Sequence, residues 1–172
     1  MRTGVLLFCL AGALSAESVA GLKWVAPAGW VNQGSRPMRA ATYTVALAAG
    51  DHEGAECAVY YFGPGQGGSV TANIERWKGQ FTQGGKPAPA RVHQRRIHGL
   101  AVTTIDTSGD YSGMGGPLAA SPTVKAGYRL LGAIVEGPQG NVFLKFTGPL
   151  KTMAANQRQF EQLLDSFEKQ SP

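Results

Sequence analysis

Cysteine is nearly absent from this chain. Of the 172 residues only Cys9 and Cys57 carry a thiol, and Cys9 lies in the N-terminal apolar run. A single remaining thiol closes no intrachain disulfide, so a disulfide-stapled scaffold is excluded. Charge is also sparse: Asp, Glu, Lys and Arg make up 16% of residues, against about 25% in ordinary globular chains. The formal net charge of +5 is scattered, which suits acidic partners or membrane surfaces and not a genome. The histidines are three, His52, His93 and His98, and no pair has zinc-ligand spacing with a third ligand in view. There is no G-x-S-x-G nucleophile elbow and no lysine to complete a Walker loop. A triad assembled in space from distant residues stays open. Beyond the first twenty residues no apolar run is long enough to span a bilayer.

What is present begins with an address. The segment MRTGVLLFCLAGALSAES has one positive charge at Arg2, an apolar stretch from Val5 to Leu14, and then small residues. That is the pattern of a secretory signal peptide over residues 1–20, with cleavage after Ala16, Ser18 or Ala20. A retained N-terminal anchor is the rival reading. A lipid anchor at Cys9 is disfavoured by bulky Phe8 and the short charged leader. The expectation is an exported protein, periplasmic or extracellular, whose mature part is one domain over residues 21–172.

Within that domain the pattern is one of hairpins. Leu22 to Val25 reads as a first strand, followed by Pro27, Gly29 and Trp30 as a turn with an aromatic plug. In Arg39 to Leu47, Ala41, Tyr43, Val45 and Leu47 share one face and Thr42 and Thr44 the other. The turn AAGDHEGAE returns the chain into a strand from Cys57 to Phe62. Arg91 to Ile97 and Leu100 to Asp106 flank the two-residue turn His98-Gly99, and Tyr128 to Glu136 pairs with Val142 to Thr147. Ser108 to Ala126, rich in Gly, Ser and Pro, reads as a long loop. A terminal helix runs from about Lys151 to Glu168 with Met153, Phe160, Leu164 and Phe167 as its stripe. The fold class is therefore α+β: a mainly antiparallel sheet of six to seven strands built from hairpins, flanked by two main helices.

The run from Glu56 to Phe81 is the most informative. A glycine cluster breaks the Val59–Phe62 strand. Ser69 then opens a helix reaching about Gln83, with Val70, Ile74, Trp77 and Phe81 at helical spacing. Burying those four side chains contributes roughly 6–12 kcal/mol before entropy is subtracted. Gly63 to Gly68 formally spells G-x-G-x-x-G, but no parallel second strand ending in an acidic residue follows, so a dinucleotide fold is not supported. Free amides at Gly67, Gly68, Ser69 and Val70 could hold an anion at the helix start.

Several segments together resemble exported bacterial proteins of the PsbP-like superfamily. They are LKWVAPAGW (Leu22 to Trp30), RAATYTV (Arg39 to Val45), YYFGPGQGGSVTANIERWKGQF, GYRLLGAIVE with LKFTGP (Gly127 to Pro149), and FEQLLDSF (Phe160 to Phe167). The glycine-to-helix run is similar to one carried by a branch of secreted bacterial proteins. PsbP is the extrinsic lumenal subunit of photosystem II, and a related fold binds a Ran-type GTPase. The resemblance implies an α-β-α sandwich and a docking or assembly role.

Other polar residues have local explanations. Cys57 reads as a buried structural thiol, with a reactive thiol or a partner disulfide as alternatives. Asp106 and Asp110 read as turn-binding carboxylates, with a loose calcium site as the sharper alternative. Arg91 to Arg96 reads as a solvated strand face. Trp77 belongs to its helix stripe, and Trp30 is expected to be more open, a weak aromatic contact. No metal site, catalytic residue or cofactor is expected. The leading expectation is a non-catalytic exported domain that binds a protein or envelope component through the Gly63–Ser69 and Ser108–Ala126 loops. The alternatives are a small hydrolase or anion-handling enzyme using His93 or Asp110 near the glycine loop, and a self-associating envelope protein.

Overall fold

Alternating apolar residues separated by glycine-bearing turns build the molecule from antiparallel pairs. The computed structural model describes residues 16–113 and 123–171. In chain order these form β1 (Ala16–Val19), β2 (Leu22–Val25), β3 (Val31–Asn32), β4 (Arg39–Val45), β5 (Ala55–Tyr60) and helix α1 (Val70–Lys78). There follow β6 (Phe81–Gln83), β7 (Lys86–Pro87), β8 (Ala90–Ile97), β9 (Leu100–Tyr111), β10 (Lys125–Gly137) and β11 (Gly140–Pro149). Helices α2 (Leu150–Ala155) and α3 (Gln157–Asp165) and strand β12 (Glu168–Lys169) close the chain.

Nine strands make one sheet in the order β3-β4-β5-β11-β10-β9-β6-β7, with β8 also paired to β9. Strands β1, β2 and β12 form a second, three-stranded sheet. The main sheet is thus larger than expected, because two-residue strands such as β3 and β7 carry too little pattern to be read from sequence. The three hairpins are as anticipated. At His98-Gly99 both residues have positive φ (47° and 79°), and Ile97 pairs with Leu100. That is the two-residue turn whose twist matches its strands.

Four boundaries differ. Helix α1 stops at Lys78, capped by Gly79, because Gly84 and Gly85 (φ 57° and 74°) fold the next residues into the β6–β7 hairpin. Phe81 is still fully buried, from a strand and not a helix. The terminal helix is broken at Asn156 (φ −110°, ψ 8°), whose side-chain amide donates to the Thr152 carbonyl. The expected long loop is shorter at both ends, since β9 runs through Tyr111 and β10 begins at Lys125. Its turn-forming composition concealed a ladder that pairs Ser108 with Arg129. Residues 114–122 of that loop lie outside the described residues, as do residues 1–15 of the expected signal peptide. Leu47, placed on the face of Ala41, Tyr43 and Val45, lies beyond β4 and is exposed, whereas Thr42 of the other face is fully buried.

Thr42 is buried because layers cover both faces of the sheet. One face packs under the small sheet, α2 and α3, where Trp24 stacks on Phe167 (centroids 5.1 Å apart) and donates from Nε1 to the Tyr43 hydroxyl at 2.8 Å. Cys57 is fully buried in this layer, and burial pushes its thiol well above the ordinary range, as befits a structural thiol. The other face carries α1, with Ile74, Trp77 and Phe81 packed on Ile105, Leu130, Ile134 and Phe143. Strand β8 lies at the sheet margin with Arg91 through Arg96 exposed, and its Arg95 pairs with Glu161 and Asp165 of α3. Among the described residues no helix is long and apolar enough to cross a membrane.

Candidate functional site

Beneath α1 the register lines up Thr42, Ala58, Lys145, Gly132 and Ile105 across five strands. Lys145 sits in β11, a central strand whose neighbouring residues are apolar, and it is buried at 7% exposure. The small residues Ala58 and Gly132 on either side leave room for its long stem. Gly132 also seats the indole of Trp77: a Cβ there would come within 2.8 Å of that ring and of Ile105. The Lys145 ammonium donates to Gln80 Oε1 at 2.9 Å and lies 5.7 Å from the Tyr111 ring centroid. Its partner is a neutral amide, not a carboxylate. Burial, with Arg76 and then Arg39 nearby, pulls its pKa down from 10.5 to about 8.

Lys145 forms part of the wall of a cavity of about 420 Å³, a size suited to a small organic molecule. Tyr60, Phe62, Trp77 and Phe143 supply aromatic walls; Arg39, Arg76 and Lys145 supply three cations. Arg39 lies over the Tyr60 ring and pairs with Glu56 at 2.9 Å. The Arg76 guanidinium is held by the side-chain oxygen of Asn73. Asn73, only 1% exposed, in turn donates to the carbonyls of Gly67 (2.8 Å) and Ser69 (2.9 Å). At the mouth, Met38 is 65% exposed with φ 63°, a left-handed backbone that costs roughly 1 kcal/mol or more for a non-glycine residue. Positive charge in excess of its carboxylates, set in an apolar aromatic wall, is an arrangement that suits an anion with an apolar body.

A larger depression of about 620 Å³ runs past Arg91, Asp106, Arg129 and Lys151 on the opposite face. There Arg129 is already neutralised, since it grips both Asp106 oxygens at 2.8 and 2.9 Å. The smaller cavity is the stronger candidate.

Comparison with solved structures places this architecture. Cyanobacterial PsbP (CyanoP) from Synechocystis sp. PCC 6803 superposes with a TM-score of 0.54 at 10% identity, covering 96% of this chain and 98% of that one. The chain has the PsbP-like fold. A Pseudomonas aeruginosa protein of unknown function, PA94, matches with a TM-score of 0.50 at 14% identity, over 94% of this chain and 100% of that one. Neither a protein-family model nor a curated protein sequence matches.

On this PsbP-like frame the residues proposed from sequence take other places. Ser69 caps α1, its hydroxyl accepting from the Ala72 amide at 3.1 Å. Gly67 (φ 88°) lies against Phe62 and Phe143, so close that a Cβ would approach both rings within 2.8 Å. Gly67, Gly68, Ser69 and Val70 do not line the aromatic cavity; they support it by positioning its rings and Asn73. Trp30 is not open. It is 8% exposed, tilted on Phe146 at 4.7 Å, with Nε1 donating to Asn156 Oδ1 at 3.3 Å.

The enzymatic alternative required a histidine and a carboxylate beside the glycine loop. His93 faces Phe160 and Glu161 on the α3 side, whereas the loop leads into α1 on the other face. Asp110 pairs with Thr82 of β6. His98 Nδ1 lies 2.9 Å from the Phe167 carbonyl, a tie between a hairpin and the chain end. Sequence reasoning missed Lys145, Arg76, Arg39, Asn73 and Gln80. One signal was available: a lysine at the centre of the apolar strand VFLKF is costly to bury and needs a reason.

Proposed function

We propose that this chain is an exported, non-catalytic binding domain of the cell envelope that takes up an envelope component between α1 and the main sheet. The reading is carried by one observation: Lys145, buried against neutral Gln80, faces an aromatic cavity together with Arg76. A buried cation with no carboxylate partner lowers stability, and a ligand anion would offset that cost on binding. The PsbP-like fold supports an accessory role, as do the N-terminal apolar segment and its small-residue cleavage sites for export. The pairing of Ala16–Val19 with β2 supports a mature domain that begins ahead of residue 21 and keeps most of β1.

The test is fractionation followed by native mass spectrometry of protein isolated from the envelope. A mature species outside the cytoplasm carrying a one-to-one small-molecule adduct is expected. A cytoplasmic, unprocessed chain without adduct would overturn the proposal. Substituting Ala58→Phe, which fills the floor beside Lys145, should abolish the adduct.

A further inference from the structure

We infer that the cavity ligand is an amphipathic organic anion: a compact oxyanion head group held by Lys145 and Arg76, on a flat apolar body packed between Tyr60, Phe62 and Trp77. This rests on the binding function proposed above and names the chemical class of ligand at that site.

Three features of the wall select this chemistry. Of its three cations, Arg39 has its own carboxylate, Glu56 at 2.9 Å, whereas among the described residues Lys145 and Arg76 hydrogen-bond only the amide oxygens of Gln80 and Asn73. An incoming oxyanion therefore meets two donors of full charge that need not break an ion pair to receive it. The remaining walls are rings. Tyr60 and Phe62 lie parallel to within 8° at 6.0 Å, and Phe62 meets Phe143 at 5.7 Å. Rings so arranged present faces to a flat apolar group and few polar atoms to a sugar or peptide. At the mouth, exposed Met38 offers an adaptable apolar contact for the end of the ligand farthest from Lys145. Among the described residues the groove along Arg129 lacks this combination: Arg129 is closed by Asp106, and no aromatic ring lines the groove.

Neutral amides hold both cations in place. Asn73 is fixed by the Gly67 and Ser69 carbonyls, and the Gln80 backbone by burial and by its main-chain carbonyl, which accepts from the Ser112 amide at 3.0 Å. The Asn73 amide is thus anchored by two hydrogen bonds before any ligand arrives, and the Gln80 side chain extends from a buried, hydrogen-bonded backbone. They aim the ammonium and the guanidinium without neutralising them, which is the preorganisation that binding a charged head group needs.

Isothermal titration of the folded protein with three probes that share a naphthyl body tests the inference. These are 1-naphthoate, 1-naphthyl phosphate and the neutral 1-naphthamide. At least one anionic probe should bind with one-to-one stoichiometry and at least tenfold more tightly than the amide; which of the two is tighter identifies the head group. Lys145→Met should weaken the anion tenfold or more while leaving the amide within threefold. Equal affinity for amide and anions, or a preference for anions undiminished in both Lys145→Met and Arg76→Gln, would overturn the inference while leaving a binding cavity. No binding of any probe, with an empty protein from the envelope, would remove the binding function as well. Should Met at position 145 prevent folding, Arg76→Gln on the helix surface carries the same comparison.

Discussion

The ammonium of Lys145 and the side-chain oxygen of Gln80, 65 residues apart in sequence, meet at 2.9 Å beneath α1. Among the described residues the lysine has exchanged water for a single neutral hydrogen bond, and two arginines stand near it. Nothing in the fold requires a cation at that position, since Ala58 and Gly132 flank it and Phe143 and Phe146 lie along the same strand.

Lys145→Met is expected to stabilise the unliganded protein at pH 7 by about 1–3 kcal/mol, because it replaces a buried charge by an apolar group of similar length. The native pKa, about 8, lies below the ordinary 10.5, so between these values the unfolded chain holds a proton that the native state lacks. Wild-type stability should therefore rise relative to the Met variant from pH 8 to 10.5 and be flat below pH 8. Urea unfolding at pH 7, 9 and 10.5 measures this; a gap independent of pH would contradict it.

Affinity for an anionic probe should fall as pH rises through about 8 and beyond, when the Lys145 proton is lost. The charged and titratable groups facing Lys145 are Arg76 from α1, Arg39 from β4, Tyr60 from β5 and Tyr111 from β9. The arginines keep their charge in this range, and burial raises both tyrosines above their usual value. Lys145 is then the group that changes. Titration of 1-naphthoate at pH 7 and 9.5 should show the loss in wild type and its absence in Lys145→Met.

Gly132→Ala should cost about 1–3 kcal/mol and weaken probe binding, although Gly132 does not line the cavity. The added methyl meets the Trp77 ring and Ile105 within 2.8 Å and must lift α1 from the sheet. Urea denaturation and Trp fluorescence report the two effects. An unchanged midpoint would show that Trp77 is not seated as described.

Cys57 should be inert in the native protein and react readily once unfolded. It is fully buried, and burial holds its thiol protonated at neutral pH. Labelling with a thiol-disulfide reagent, with and without urea, distinguishes the states; fast native labelling would contradict the packing.

On the export reading proposed above, the mature chain should begin at or before Glu17. Of the three cleavage points, removal after Ala16 spares most of β1, whereas removal after Ala20 deletes the whole strand that pairs with β2 and the Glu17 carboxylate that accepts from Asn32. N-terminal sequencing of the mature chain decides it.

Much of the architecture was legible in the residues themselves. Alternation in Arg39–Val45, the His98-Gly99 turn and the Ser69 cap are local patterns, each confined to a few neighbouring residues, and local sterics and hydrogen bonding decide them. The same locality explains the apolar stripe of Met153, Phe160 and Leu164, and why the boundary residues around Gly79 and Asn156 were misplaced by a turn. Short strands such as β7 exist only because a partner strand is there to receive them.

The cavity belongs to the other kind of information. Arg39, Asn73, Arg76 and Lys145 come from three elements far apart in the chain, and no spacing relates them. Chain order alone determined which residues turn, alternate and cap, because those preferences act over one or two peptide units. Tertiary structure decided that Ala58 and Gly132 would stand beside Lys145 and that α1 would roof it, because burial and desolvation depend on what the rest of the molecule places around a side chain.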